Sequence, residues 1–365
     1  MGRQQPQRRY GSHRPQAGTC RYDRPLRPGD GPPPIPRLGR VGRRHRAVGG
    51  RGAHRLRLPT TRPPDRSLQA GPLRDVETKS RDAAGGARLR DPPRSPADLA
   101  DELRTSYYHG GLVDEHSAGL DPARYTAGLA AAAARRGALL FERTTVLDLQ
   151  RSGPEFSVHT SQGALRSGAV LVASNGYTGY HAPGLDPWLR RRIVPIGSHI
   201  LATERLDAAL ATRLIPRGRM VFDTKNMLFY FRRSPDNRIL FGGRATFTPT
   251  SLETTSRILR QGMLAVFPEL AQARIEHIWG GRVGFTFDLE PQLGVHDGIH
   301  YALGYCGHGV ALGTLLGGSV ARLIAGLPED SPFLTLPFPS NPAYRGRPWF
   351  LPLAGAWFRV LDLAR

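Results

Sequence analysis

Hydrophobic and polar positions fall into a regular pattern only from about Ala97 onward. "DPARYTAGLAAAAARRGA" (121–138) predicts a helix, with Asp121 as N-cap, Pro122 at the first helical position and Gly137 near the end. "ALLFERTTVLDLQ" predicts a strand, because Thr145, Leu147 and Leu149 alternate with Val146 and Asp148. "EFSVHT" and "ALRSGAVLVASNG" continue as strands, the second closing on a turn at Asn175-Gly176. Residues 193–247 are rich in β pattern, and "MLFYFRRSPDNRILFGGRATF" predicts a hairpin around Ser234-Pro235-Asp236-Asn237. "SLETTSRILRQGMLAVFPEL" predicts a helix capped by Ser251. "IEHIWGGRVGF" and "GIHYALGY" follow as strands, and "GVALGTLLGGSVARLIAG" as a last helix whose small residues allow close packing on a sheet. The pattern contains no internal repeat. A βα unit, an antiparallel insertion and a final strand–turn–helix predict an α/β fold in which a cofactor domain is interrupted by a substrate domain.

The first hundred residues change this picture. They hold 23 basic and 8 acidic residues, whereas the remainder holds 28 and 22, so most of the formal charge of +21 sits in the first quarter of the chain. Tyr10 and Tyr22 are the only aromatic residues before Tyr107. So little apolar surface does not offset the entropy of ordering, and the segment is expected to be disordered. Two cysteines, Cys20 and Cys306, make no disulfide framework and suit a reducing cytoplasm. No apolar run reaches the length of a membrane span, and the start lacks the apolar core of a signal peptide. No metal-ligating cluster is expected.

"YALGYCGHGVALGTLLGGSVARLIAG" (301–326) carries the most specific chemistry. A strand ends at Leu303, a turn containing Gly304, Gly307 and Gly309 follows, and a helix starts near Val310. Such a turn aims backbone N–H groups and the positive end of a helix at negative charge.

This stretch resembles the C-terminal flavin-binding motif of the FAD-dependent oxidoreductases related to D-amino-acid oxidase and glycine oxidase. Three further passages are similar to that family in the same order: "YYHGGLVDEHSAGLDPARYTAGLA", "VLVASNGYTGYHAP" and "IEHIWGGRVGFTFDLEPQLG". The tail "PFPSNPAYRGRPWFLPLAGAWFR" resembles the γ-glutamylputrescine oxidase branch. The resemblance spans residues 97–365 and implies an FAD-binding Rossmann-like domain (95–192 and 275–326), an inserted antiparallel β substrate domain (193–274) and a C-terminal tail (327–365). It implies FAD as cofactor and a small-molecule amine as substrate, primary or secondary and γ-glutamylputrescine-like or amino-acid-like, oxidised by hydride transfer to flavin with oxygen as the final acceptor.

Position by position, it implies that Gly304, Gly307, His308, Gly309 and Val310 line the isoalloxazine. Ser174, Asn175 and Gly176 would lie by the pyrophosphate, and the backbone of Val146 by the adenine. His308 is the one side chain there with acid–base capacity; its plainer reading is a helix-capping histidine, and that of Val146 a core strand residue. Cys306 reads as a small packed residue rather than a covalent attachment point. Lys225, the only lysine after Lys79, reads as a solvated strand lysine, with assistance to oxygen as the alternative. Glycine-oxidase-like members hold the substrate carboxylate with an arginine on the return strand. Here that place falls on Val283, with Arg282 one residue earlier. A one-residue offset turns the guanidinium to the other face, which favours an amine without an adjacent carboxylate.

The family's first strand and G-x-G-x-x-G turn, which take the FAD diphosphate, have no counterpart here. "VGGRGAHR" (48–55) follows no apolar strand and carries Arg55 where the turn needs glycine. Arg, Pro, Gly and Ala are what GC-rich DNA yields out of frame. A one-nucleotide shift can convert "MGRQQPQRRYGSHRPQAG" into "WGASSRNGGMGHTGLKLG", and "HRLRLPTTRPPDRSLQAGPLR" into "IDCDYRRPGHLTEASKPAHYE", both similar to family segments. The expectation is therefore that residues 1–94 are an out-of-frame segment, that the Rossmann-like domain lacks its first βαβ unit, and that FAD binding is impaired. The competing reading is a nucleic-acid-binding protein with an Arg-rich arm. The arm's shortage of aromatics and its single lysine among 22 arginines speak against specific nucleic-acid binding.

Overall fold

The computed structural model describes residues 55–58 and 94–363, apart from 115–116, 180–185 and 244–249. Expectations for residues 1–54 and 59–93, including their disorder, Cys20 and most of "VGGRGAHR", lie outside the described residues, whereas at 55–58 the structure has a strand where disorder is expected. The described residues belong to one unit, Arg51–Arg365.

The largest sheet has seven strands. In chain order they are β1 (Arg55–Leu58), β2 (Leu112–Asp114), β7 (Val194–Thr203), β8 (Met220–Asp223), β9 (Phe229–Arg233), β10 (Ile239–Gly243) and β11 (Ile275–Phe285). Their order across the sheet is β11-β7-β10-β9-β8-β1-β2. The hairpin expected at 227–247 is present as β9–β10. Its turn is closed by Ser234 N donating to Arg238 O and by Asn237, which takes a positive φ of 62°. β1 lies where the sequence predicts no element; its RLRL alternation is strand-like, and it pairs parallel to β8 and antiparallel to β2.

The sequence reading joins 164–176 into one strand; the structure divides it. β3 (Val146–Ser152), β4 (Glu155–Thr160) and β5 (Gly163–Ser167) form an antiparallel meander, whereas β6 (Val170–Val172) joins a different sheet. The break falls at Ser167–Ala169, where the Ser167 hydroxyl donates to Ala169 O and accepts from Ala169 N, turning the chain. The strand expected from Ala138 likewise begins only at Val146, and Leu139, Leu140 and Phe141 stay exposed. β6 pairs parallel to β13 (Ile299–Leu303), which pairs antiparallel to β12 (Gln292–His296).

The short helix α1 (Pro96–Leu99) precedes α2 (Pro122–Arg135), whose N-cap Asp121 accepts from Ala123 N and Arg124 N as its sequence predicts. Two short helices follow, α3 (Pro187–Arg190) and α4 (Ala208–Leu214). α5 (Leu252–Val266), capped by Ser251, buries Leu259, Met263 and Val266 against Leu201, Phe231 and Phe241 on one face of the large sheet. α6 (Gly309–Ile324) sets Leu316 and Val320 on Leu293 and Ala302 of β12–β13. α7 (Leu351–Leu363) closes the chain, its Leu351 and Phe358 packing near Val194, Ile196 and Phe285 on the other face.

Candidate active site

The turn after β13 is built by backbone that only certain residues adopt. Gly304 and Gly307 have φ of 77° and 104°, the left-handed region that glycine enters without strain. A side chain on Gly304 would strike the Thr286 methyl, whereas the space above Gly307 is open. Cys306 also sits at positive φ, 50°, a departure that the sequence does not announce. It is partly buried against Met227 and Val283, with its thiol 3.3 Å from Gly304 O, as expected of a packed residue.

α6 starts immediately after this turn. His308 occupies its N-cap position, yet its side chain makes no capping bond, so the capping reading of this histidine is not met. The helix runs 16 residues with no acidic residue in its first turn, leaving the positive end of its dipole unneutralised there. Gly307, His308 and Val310 are exposed. Gly309, Val310, Gly313 and Thr314 line one side of a groove of about 250 Å³ whose other side is Pro122, Tyr125, Thr126 and Leu129 of α2. The Tyr125 and Thr314 hydroxyls close it with a 2.7 Å hydrogen bond.

Asn175 and Gly176 are joined to this turn. Gly304 N donates to Asn175 Oδ1 at 3.0 Å. Gly176 lies so close to the Arg282 carbonyl that a side chain there would collide with backbone. Cys306 N donates to Gly284 O at 3.1 Å. The outer edge of β11 is thus stitched to both turns, bringing the large sheet against the β6–β13 sheet at one joint. Ser174 is exposed and bonds Thr178 through its hydroxyl at 2.9 Å. Val146 is elsewhere: it opens β3, opposite Thr160, in the separate meander.

The joint also orients the return strand. Val283 packs against the cluster of Val194, Ile196, Phe285, Tyr344 and Leu351, which also takes in Met227 and, from the turn, Cys306. Alternation along β11 places the Arg282 side chain on the opposite face. Missed from sequence were Tyr177, whose hydroxyl rises 3.7 Å from where a Gly281 side chain would begin, and Asp362 of α7. Asp362 accepts from Asn226 N, Asn226 Nδ2 and Met227 N at 2.8–2.9 Å, fixing the β8–β9 loop. These partners are too far apart in sequence for local pattern to reveal them.

Lys225 is not solvated: its side chain is mostly buried. Its ammonium lies 3.0 Å from Asp223, donates to the Tyr107 hydroxyl at 3.1 Å and sits 3.5 Å from the Phe229 ring centre. Phe229 packs on Gly262 of α5, so the lysine belongs to the helix-covered face of the sheet. Burial pushes the Asp223 carboxyl up to about 6, against the pull of Lys225. Among the described residues no cluster of metal-ligating side chains occurs, and no helix is long and apolar enough to cross a membrane.

Comparison with known proteins agrees with this geometry. Residues 55–323 match the DAO family, FAD dependent oxidoreductase. A probable oxidoreductase OrdL of Haemophilus influenzae is 37% identical over 68% of this chain and 57% of its own length. The gamma-glutamylputrescine oxidoreductase of Escherichia coli is 32% identical over 72% of this chain and 61% of its own. The chain therefore spans 57–61% of the length of these relatives. The crystal structure of glycine oxidase from Geobacillus kaustophilus superposes with a TM-score of 0.62 at 22% identity, covering 80% of this chain and 75% of that one, and shows the same fold. The family match begins at Arg55, ahead of the Ala97 start of the resemblance seen in the sequence, and takes in both the Asn175-Gly176 turn and the Gly304–Val310 turn. The chain belongs to the DAO family of FAD dependent oxidoreductases.

Proposed function

We propose that the joint between the Gly304–Val310 turn and β11 oxidises the CH–NH bond of a small amine that carries no carboxylate on the reacting carbon. The observation that carries this reading is Val283: an apolar side chain that shares its cluster with Cys306 of the turn stands where a carboxylate clamp would need a cation, and Arg282 is turned to the other face.

The residues present suit one part of FAD. Open space over Gly307 admits a flat ring, the uncapped start of α6 favours negative charge at the ring's edge, and the α2–α6 groove opens beside it. FAD supplies, when bound, the acceptor for a hydride from the carbon next to nitrogen. The chain's own residues do the rest. Backbone N–H groups of the turn and the first turn of α6 hold the ring, and Val283, Ile196, Met227 and Cys306 form an apolar wall that excludes water. His308, exposed at the turn, is the side chain placed to accept or return a proton. Asn175 is engaged with Gly304 and so serves to position the turn. Oxygen is the final acceptor in this reading, and the name of the Escherichia coli relative supports an amine as substrate.

The test is anaerobic mixing of the chain and FAD with 1,4-diaminobutane, N-acetyl-1,4-diaminobutane, glycine or D-alanine. The flavin absorbance bleaches with the amines and returns on admitting air. Bleaching by the amino acids alone would overturn the reading.

A further inference from the structure

The last helix is apolar on the side where water favours polar residues. α7 reads LPLAGAWFRVLDL, and Arg359 and Asp362 are its only charged residues. Leu351 and Phe358 turn inward onto the cluster of Val194, Ile196 and Phe285, and Asp362 turns inward to Asn226 and Met227. At about 3.6 residues per turn the opposite side of the helix is Leu353, Trp357 and Val360, spaced i, i+4 and i+7. These three are 69%, 60% and 57% exposed, and Trp349, just ahead of the helix, is 62% exposed. A helix at a water-facing surface carries polar residues on its outer side; this stripe carries none. Single exposed apolar residues are ordinary, but a continuous stripe with two tryptophans marks an interaction surface.

The charges around the stripe select its partner. Residues 331–365 hold four arginines, Arg345, Arg347, Arg359 and Arg365, and one acid, Asp362. Arg345, Arg347 and Arg359 are exposed, whereas Asp362 is engaged by the β8–β9 loop. A second copy packed helix to helix would set arginine beside arginine whichever way the two helices ran. An anionic bilayer surface instead offers each arginine an opposite charge and takes the apolar stripe below the headgroups. The 13 residues of α7 rise about 20 Å, less than the roughly 30 Å of a hydrocarbon core, so the helix lies in such a surface and does not cross it. Tryptophan suits that depth. The Trp349 indole N–H already donates to Ala343 O at 3.3 Å, so its ring leaves water without losing a hydrogen bond.

We propose that the outer face of α7, Leu353, Trp357 and Val360 together with Trp349, docks on a membrane surface that contains anionic lipid, with Arg345, Arg347 and Arg359 at headgroup level. The inner face stays on the large sheet, so docking needs no rearrangement of the fold. The proposal is independent of which substrate the chain oxidises.

The experiment is flotation of the full chain with vesicles of phosphatidylcholine alone or with about 30% phosphatidylglycerol, at about 0.1 and 0.5 M NaCl. The first hundred residues, rich in arginine, also attract anionic lipid, so the variant must separate charge from insertion. Leu353→Lys does so: it adds a positive charge, which keeps or strengthens attachment by charge alone, and it weakens insertion of the stripe. Wild type is expected to float with the anionic vesicles, in part even at the higher salt. Leu353→Lys is expected to partition about tenfold less there, the scale of losing one buried leucine. Lipids with brominated acyl chains are expected to quench the tryptophan fluorescence of wild type, and to quench Trp357→Phe less. Melting curves show whether both variants fold. Partition of wild type no greater than that of Leu353→Lys, or no quenching by brominated chains, would overturn the proposal. A wild-type dimer that Leu353→Lys splits, without vesicle binding, would assign the face to a second copy and overturn it equally.

Discussion

Lys225 and Asp223 show how one buried pair sets a pH response. Asp223 has its carboxyl raised from 3.8 to about 6 by burial, so the folded state binds this proton more tightly than the unfolded chain does. Its contribution to stability is full below about 4 and is lost as pH rises through about 6. Lys225→Met leaves that carboxylate without its cationic partner at pH 8, where the expected cost is about 3–5 kcal/mol. At pH 5 the carboxyl is mostly protonated and the cost shrinks. Thermal melts of wild type and variant at the two values measure this, and an equal cost at both would refute the assignment. Asn175→Ala removes the acceptor for the buried Gly304 N–H, with an expected loss of about 1–3 kcal/mol. The same change should weaken FAD binding; a melt unchanged from wild type would mean that the bond does not hold the turn. The glycines of this turn were legible in sequence because positive φ demands them. The side chains that anchor the turn were not: Asn175 lies 129 positions from Gly304, and Lys225 presents the same letters whether solvated or buried beneath α5.

Among the elements, β11 and α7 position the site. β11 pairs with β7 across ten positions on one side, and its other edge lies on Gly176 and Cys306. Gly176→Ala would force a methyl group against the Arg282 carbonyl, with an expected cost of about 1–3 kcal/mol or more. It should be read as a lowered melting temperature together with loss of FAD binding. Asp362→Ala releases the β8–β9 loop, whose Asn226 and Met227 it holds, at an expected cost of about 1.5–3 kcal/mol for bonds to a charged acceptor. Faster amide exchange confined to residues 224–228 and neighbouring α7 would confirm the link; unchanged exchange there would refute it. Helix α2 and the β9–β10 hairpin were legible because their signals are local: Asp121-Pro122 for the one, Ser234–Asn237 for the other. The split of 164–176 between two sheets was not, because a Ser167–Ala169 turn lies inside an otherwise unbroken run of strand formers. The pairing of β11 with β7 depends on chain more than seventy residues away.

At the scale of the molecule, the apolar surface is unevenly covered. β6 ends the order β12-β13-β6, so among the described residues one of its edges has no strand beside it. Leu139, Leu140, Phe141, Leu147, Leu171 and Leu315 are exposed. Apolar surface and open strand edges drive association that salt does not screen. Light scattering of the purified chain is therefore expected to show self-association that persists at about 0.5 M NaCl, where charge-driven association would fade. The central claim is that the start of α6 holds the flavin ring, and Val310→Asp tests it most directly. Val310 is exposed in the first helical turn, where an aspartate favours the helix dipole by about 0.3–1 kcal/mol, so the fold should be kept. The same charge repels the electron-rich edge of the ring. Titrating FAD into both proteins and following the flavin absorbance should give a weak saturable shift for the wild type. For Val310→Asp, binding should be about tenfold weaker, a difference of about 1.4 kcal/mol. Equal binding by the two proteins, or no saturable shift in the wild type, would contradict the account.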